Sequence, residues 1–201
     1  MSDIPKSERS ESSLETQHLV YALRRKITTE LLTSFGYSEK KLEEHVKKVT
    51  AYIKDKEERK ARQEMLLVLM QDFSMWLIED ERDDIADLCR EISRHLRQAN
   101  TIWPNYYAEY IERRLELDRA RECCNALQDE LQYIAEQLPA DKNRYMGIVL
   151  DIEEIYNKIG ALRQSDNRFL DTLPDVPDEV RQRREKEQLK SARRRKRTRK
   201  R

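Results

Sequence analysis

Glycine is nearly missing from this chain, with three in 201 residues beside five prolines, and only 7% of the residues are aromatic. So little turn chemistry excludes a sheet rich in tight hairpins and leaves long helices joined by few loops. No stretch approaches 18 consecutive apolar residues, so no membrane-spanning helix is expected. The opening MSDIPKSERSESS is polar and acidic where a secretory signal is basic and then apolar. Together these point to a cytoplasmic protein with no membrane association. Cysteine is scarce as well: Cys89, Cys123 and the adjacent Cys124 are odd in number. Neighbours on a helix point about 100° apart and do not converge on one metal, so the three read as small buried hydrophobes.

Catalytic signatures are also lacking. His18, His45 and His95 are scattered, and there is no HExxH, CxxC, glycine-rich phosphate loop or GxSxG turn. Carboxylate pairs such as Glu153 with Glu154, or Asp83 with Asp84, miss the Glu-x-x-His partners of a di-iron bundle and read as solvated faces. The expectation is a protein that is not an enzyme and has no cofactor and no metal site.

What the chain does have is charge, 39% of residues, beside 38% hydrophobic ones. The fold class expected is all-α, an up-and-down helical bundle with long antiparallel helices. It divides into a disordered N-terminus over 1–11, a bundle over 12–165, a linker over 166–180 and a basic tail over 181–201, itself disordered or conditionally helical. Ser12 and Glu15 form a capping-box pattern for the first helix, with Val20, Leu23, Ile27 and Leu31 as its buried stripe and Gly36 as its left-handed terminator. Ser38 can cap a second helix with apolar positions Leu42, Val46, Val49 and Ile53. Residues 55–64 read as either a loop or a solvated helical bridge. Residues 65–77 are apolar nearly all round and read as the most buried helix, with Phe73 and Trp76 in the core. The acidic cluster 79–84 breaks that pattern, so a separate helix is expected from Asp83 or Asp84, carrying Ile85, Leu88, Ile92 and Leu96.

After Pro104 one long helix is expected over 105–138. Its seam is Tyr110, Leu117, Cys124, Leu131 and Leu138 with Ala120, Leu127 and Ile134 between, and Arg113 takes the seam position nearest the start. The last core helix carries Tyr145, Ile148, Ile152, Ile155, Ile159 and Leu162 at spacings of three and four. Gly147 and Gly160 would admit a close neighbouring helix. Because the seams run to the ends of both helices, one chain need not cover every apolar face, and a homo-oligomer is expected. Pro174 and Pro177 mark the linker.

The net charge of +1 hides a polarity. Residues 181–201 hold thirteen Lys or Arg against two Glu, a net of +11, so the other 180 residues carry −10. Candidate nucleic-acid contacts are Arg181, Arg183, Arg184, Lys190, Arg193, Arg194, Arg195, Lys196, Arg197, Arg199, Lys200 and Arg201. A guanidinium fork matches phosphate oxygens, and a dense run of them releases counterions. Arginine-rich segments that fold on RNA favour RNA over DNA, because neither a dimerised basic helix nor a helix-turn-helix is evident. Alternatives for the tail are solubilisation, targeting or pairing with the acidic body. A second cluster, residues 99–121, sets Trp103, Tyr106, Tyr107 and Tyr110 among arginines. The preferred reading has the aromatics closing the bundle end and the arginines pairing with Glu109, Glu112 and Glu116. Stacking on bases is the alternative, with Trp103, Arg113 and Arg114 as secondary contacts.

The stretches IPKSERSES, ANTIWPNYYAEYIERR and GALRQSDNR together resemble the accessory variability determinant (Avd) proteins, small four-helix bundles encoded beside the reverse transcriptases of diversity-generating retroelements. The likeness covers about 99–168 and the first dozen residues. It implies an accessory protein that assembles as a ring-like homo-oligomer, binds a reverse transcriptase and template RNA, and supports mutagenic cDNA synthesis. Because the body is acidic, the RNA contact would fall to 193–201. The other reading is a coiled-coil structural or scaffolding protein whose tail only targets or solubilises.

Overall fold

The computed structural model describes residues 13–198, with Ser13, Glu187, Gln188 and the last turns from 191 as backbone only. The expected disorder of 1–11, the Ser12 cap and the contacts of Arg199, Lys200 and Arg201 lie outside the described residues. The elements are α1 (Ser13–Lys26), α2 (Glu39–Val49), α3 (Lys56–Thr101), α4 (Tyr107–Gln137), α5 (Asn143–Ser165), a 3-10 turn (Asp166–Asp171) and α6 (Asp178–Thr198). The fold is all-α: among the described residues there is no strand, only one isolated bridge between Tyr37 and Ala140.

Helices α1, α3, α4 and α5 close a four-membered ring in which α3 packs on α4, α4 on α5, and α1 on both α3 and α5. The heptad positions explain it. Tyr110, Leu117, Ala120, Cys124, Leu127, Leu131, Ile134 and Leu138 of the α4 seam are all buried, as are all six apolar positions named in α5, Val20 and Leu23 in α1, and Ile27 and Leu31 just after it. Leu117, Leu127, Ile152 and Ile159 lose all contact with water. Removing any of these side chains to Cβ would leave a cavity costing about 2–5 kcal/mol.

Helix α1 continues through one π-helical turn, Ile27–Leu31, before the chain reverses at Phe35 and Gly36, with φ of 46° and 70°. The reversal is held by the Tyr145 hydroxyl, which donates to the Phe35 carbonyl at 2.6 Å. Ser38 is the N-cap of α2, but its hydroxyl makes no capping bond. Val49 departs from its expected burial: it is exposed, while Thr50 beside it is buried.

The largest departure is α3. Residues 55–64 follow the helical alternative and not the loop, and in place of a separate inner helix with a restart at Asp83 or Asp84, residues 56–101 form one helix capped by Asp55, which accepts from the Glu58 amide at 2.8 Å. A cluster of acids does not interrupt the backbone ladder; it only needs a solvated face. Glu79, Asp80, Asp83 and Asp84 take that face, and Glu81 turns inward. Burial pushes the Glu81 carboxyl up, with Glu130, Asp84 and Asp80 adding to the shift. At 46 residues against 31, α3 is about 69 Å long and α4 about 46 Å. The amino-terminal part of α3 therefore passes the end of the bundle, where α2 packs beside it and Gln63 donates to the Thr50 hydroxyl. Phe73 and Trp76, expected in the core, are 40% and 53% exposed, on the side of α3 away from the buried Ser74, Leu77 and Ile78.

The glycines in α5 serve cations, not a neighbouring backbone. Lys26 donates to the Gly147 carbonyl at 3.1 Å and pairs with Asp151 at 2.5 Å, and Gly160 faces the Arg121 guanidinium, which lies 4.0 Å over the Tyr156 ring. Burial pushes the Cys89 and Cys124 thiols up to about 12 and raises Cys123 to a lesser degree. Since the thiolate is the reactive form, a disulfide-exchange reagent at pH 8 should titrate Cys123 alone, and slowly, in the folded protein, with the other two thiols appearing only in denaturant. Rapid reaction of all three would contradict this packing.

Candidate nucleic-acid interface

The segment between the bundle and the tail, expected as a linker, is packed. Phe169, Leu173 and Val176 are buried with Tyr110 in a second small core, and Val180 of α6 joins its edge. Spacings of four, three and four bring these side chains to one side despite Pro174 and Pro177. Asp175 accepts from the Tyr107 amide at 2.8 Å, which ties the segment to the start of α4.

This anchoring fixes the root of α6. Arg181 donates to the Leu173 and Pro174 carbonyls, and Arg184 pairs with Asp171 at 2.8 Å. That ion pair joins the basic segment to an acid of its own body. One amino group of Arg184, Nη1, is buried with no hydrogen-bond partner among the described residues. Beyond the root, Arg183, Lys186 and Lys190 line one groove along the helix together with Glu179 and Gln182. Arg193 and Arg197 take the next register positions of that face at spacings of three and four. Arg194, Arg195 and Lys196 lie on the same final turns.

Between α4 and the root of α6 is an open cleft of about 410 Å³, lined by Tyr107, Arg114, Asn167, Leu170, Arg183 and Arg184 among others. Its lining contains three arginines and no carboxylate, on a body that is otherwise strongly acidic. Arg114 from the aromatic cluster and Arg183 and Arg184 from the tail, 69 residues apart at the nearest, thus border one space. Such a site suits an anion, and the groove along Arg183, Lys186 and Lys190 extends it.

The remaining residues of the aromatic cluster divide. Arg113 is 8% exposed and donates through Nε to Asp166 at 2.6 Å and through Nη1 to the Ala99 and Ile102 carbonyls. It faces inward, with these donors committed to the protein. Arg114 donates to the Tyr110 hydroxyl and to Asn167 at 2.6 and 2.7 Å and lies over the Tyr110 ring. Tyr110 is buried and stacks on Tyr107, so its faces are taken. Trp103 is 67% exposed, with an edge contact to Phe169, and is open to a base. The expected pairings with glutamates are replaced, except that Arg119 bonds Glu116; Glu109 instead accepts from the Asn105 and Tyr106 amides. Burial pushes the Glu116 carboxyl up, but hydrogen bonds from His95 and Arg119 outweigh it and hold the group below the usual carboxylate range. Lys186, Tyr107 and Asn167 were not among the candidates. Lys186 is readable from its spacing to Arg183 and Lys190, whereas the other two need the fold of 166–180.

Among the described residues no group of three or more His, Cys, Asp or Glu could hold a metal ion, and no helix is long and apolar enough to cross a membrane. Comparison of the chain with protein-family models, curated proteins and solved structures gives no match.

Proposed function

We propose that this chain is a non-enzymatic accessory protein of the cytoplasm that holds nucleic acid, RNA in preference to DNA, along α6 and docks on a protein partner. The observation that carries the reading is the carboxylate-free cleft in which Arg114 of the bundle meets Arg183 and Arg184 of the tail. A tail that only solubilised the protein would need no such root. A strand of phosphates entering there continues along Arg183, Lys186 and Lys190 toward the arginine run of 193–201, each contact releasing counterions. RNA is favoured because a single arginine-rich helix with no dimerised partner or recognition helix reads no DNA sequence. By its resemblance to the Avd proteins, the protein partner would be the reverse transcriptase of a diversity-generating retroelement.

The test is removal of residues 181–201. Against a 20-nucleotide single-stranded RNA, the truncated chain should lose affinity by about 100-fold or more at low salt, since most phosphate contacts go with it. The melting temperature should stay within a few degrees, because Val180, the residue of α6 that joins the second core, is kept. A truncated chain that binds as tightly as the full one would refute the proposal.

A further inference from the structure

The amino-terminal half of α3 presents a surface that the fold leaves uncovered. Met65, Val68, Leu69, Phe73, Met75 and Trp76 are between 40% and 60% exposed. Val68, Leu69, Met75 and Trp76 are the four neighbours of Asp72 at spacings of three and four, so they form one continuous patch around it. Side chains of this size expose on the order of 100 Å² each when half open, giving roughly 600 Å². That matches or exceeds the largest apolar patch of an ordinary monomer, about 300–600 Å². A helix apolar over most of its circumference, with one short helix beside it, lacks the partners that would bury it.

We infer that this patch is the self-association surface of the protein, where α3 of one copy lies antiparallel against α3 of a second. Three observations select this occupant. First, the area suffices: doubled by symmetry, it gives about 1,200 Å², above the roughly 1,000 Å² that a specific interface needs. Second, the flanks are complementary in one direction only. Residues 54–64, with five basic and four acidic side chains, carry a net of +1, and the residues of 79–84 outside the core, four acids with Arg82 while Glu81 is turned inward, carry −3. Parallel pairing would set −3 against −3, whereas antiparallel pairing sets the acidic flank against the other flank and brings Arg62 toward Asp80 of the second copy. The midpoint of the two flanks falls at Gln71, inside the patch, as a two-fold axis requires. Third, the same acidic flank opposes docking on an anionic lipid surface.

The patch leaves the bundle at the end where α4 finishes and Arg82 donates to the Leu32 carbonyl, opposite the end where α6 is rooted on Tyr110. The pairing therefore leaves both basic helices free, at the far ends of an elongated dimer. This inference stands apart from the nucleic-acid reading, and it gives a closed two-fold dimer in place of the ring that the Avd resemblance implies.

Light scattering on the full chain should give about 48 kDa at micromolar concentration, twice the chain mass of 24.2 kDa. The double variant Val68→Glu with Trp76→Glu, at positions already open to water, should give the mass of one chain with unchanged circular dichroism. Asp72→Cys, made with Cys123→Ser, should form a disulfide-linked dimer under mild oxidation, and Leu150→Cys on α5, 59% exposed, should not. The cross-link decides the matter if the double variant fails to fold. A wild-type chain that stays at 24.2 kDa overturns the inference, as does an oligomer indifferent to the double variant or a monomer that binds phosphatidylserine-containing vesicles through the patch. A dimer that Asp72→Cys does not cross-link overturns the antiparallel arrangement.

Discussion

Replacing Arg113 by alanine should destabilise the bundle by about 3–5 kcal/mol, the usual cost of leaving a buried charge without its partner. The Arg113 side chain is 10% exposed and that of Asp166 only 3%, so neither recovers hydration when the other is removed. The guanidinium also satisfies the carbonyls of Ala99 and Ile102, where α3 ends, and lies 6.0 Å from the centre of the Phe169 ring. One side chain on α4 thus binds the last turn of α3 and the start of the 3-10 turn that leads to the second core. In a chain of this size each kcal/mol moves the melting temperature by about 2–4 °C, so a fall of roughly 10 °C is expected.

Lysine should rescue little, because an ammonium cannot reach a carboxylate and two carbonyls from one planar fork. Asp166→Ala should cost about as much as Arg113→Ala, and the pair Arg113→Met with Asp166→Leu should recover most of the loss, since an apolar pair leaves no orphaned charge. Thermal melts of the four variants check this. An Arg113→Ala protein that melts within 2 °C of wild type would show that the ion pair does not hold the two cores together.

The contrast between Arg113 and Arg114 also marks what could be read from the sequence. The seams of α4 and α5 were legible residue by residue, because each helix buries one face along its whole length and the spacing of its apolar residues reports that directly. The 65–77 stretch carries an even stronger apolar signal and was misread. Periodicity reports that a segment avoids water, but not whether its own chain supplies the cover, and here α4 ends before α3 does. The acids at 79–84 misled in a second way, since a change of surface charge resembles a boundary although the backbone ladder is indifferent to it.

At the candidate site the limits were different. The basic residues of 181–190 were evident from composition. The prolines at 174 and 177 concealed that Phe169, Leu173, Val176 and Val180 fold back onto Tyr110. Without that fold the tail had no fixed position, and Arg114 could not be brought near Arg183. The Asp166 partner of Arg113 lies 53 residues away on the far side of α5, a separation that no local pattern reveals.

Raising the salt concentration should weaken RNA binding more steeply than any single substitution. If the full chain contacts about eight phosphates of a single strand, the logarithm of affinity falls with a slope of about −6 against the logarithm of salt, or about 4,000-fold between 50 and 200 mM. Two variants apportion that slope. Changing Arg193, Arg194, Arg195 and Arg197 together to lysine keeps the charge and should leave the slope nearly unchanged, so any loss of affinity common to all salt concentrations measures the guanidinium fork itself. Changing Arg114 to glutamine removes one cation from the cleft and should reduce the slope by about 0.7, while leaving the buried Arg113 and Asp166 pair untouched. Trp103→Ala behaves differently from both: a base stacked on an indole is held without counterion release, so a loss of about 1–3 kcal/mol should appear at every salt concentration with the slope preserved. A flat salt response of the full chain, or a slope equally steep after residues 181–201 are removed, would place the binding elsewhere on the molecule and leave α6 as an appendage.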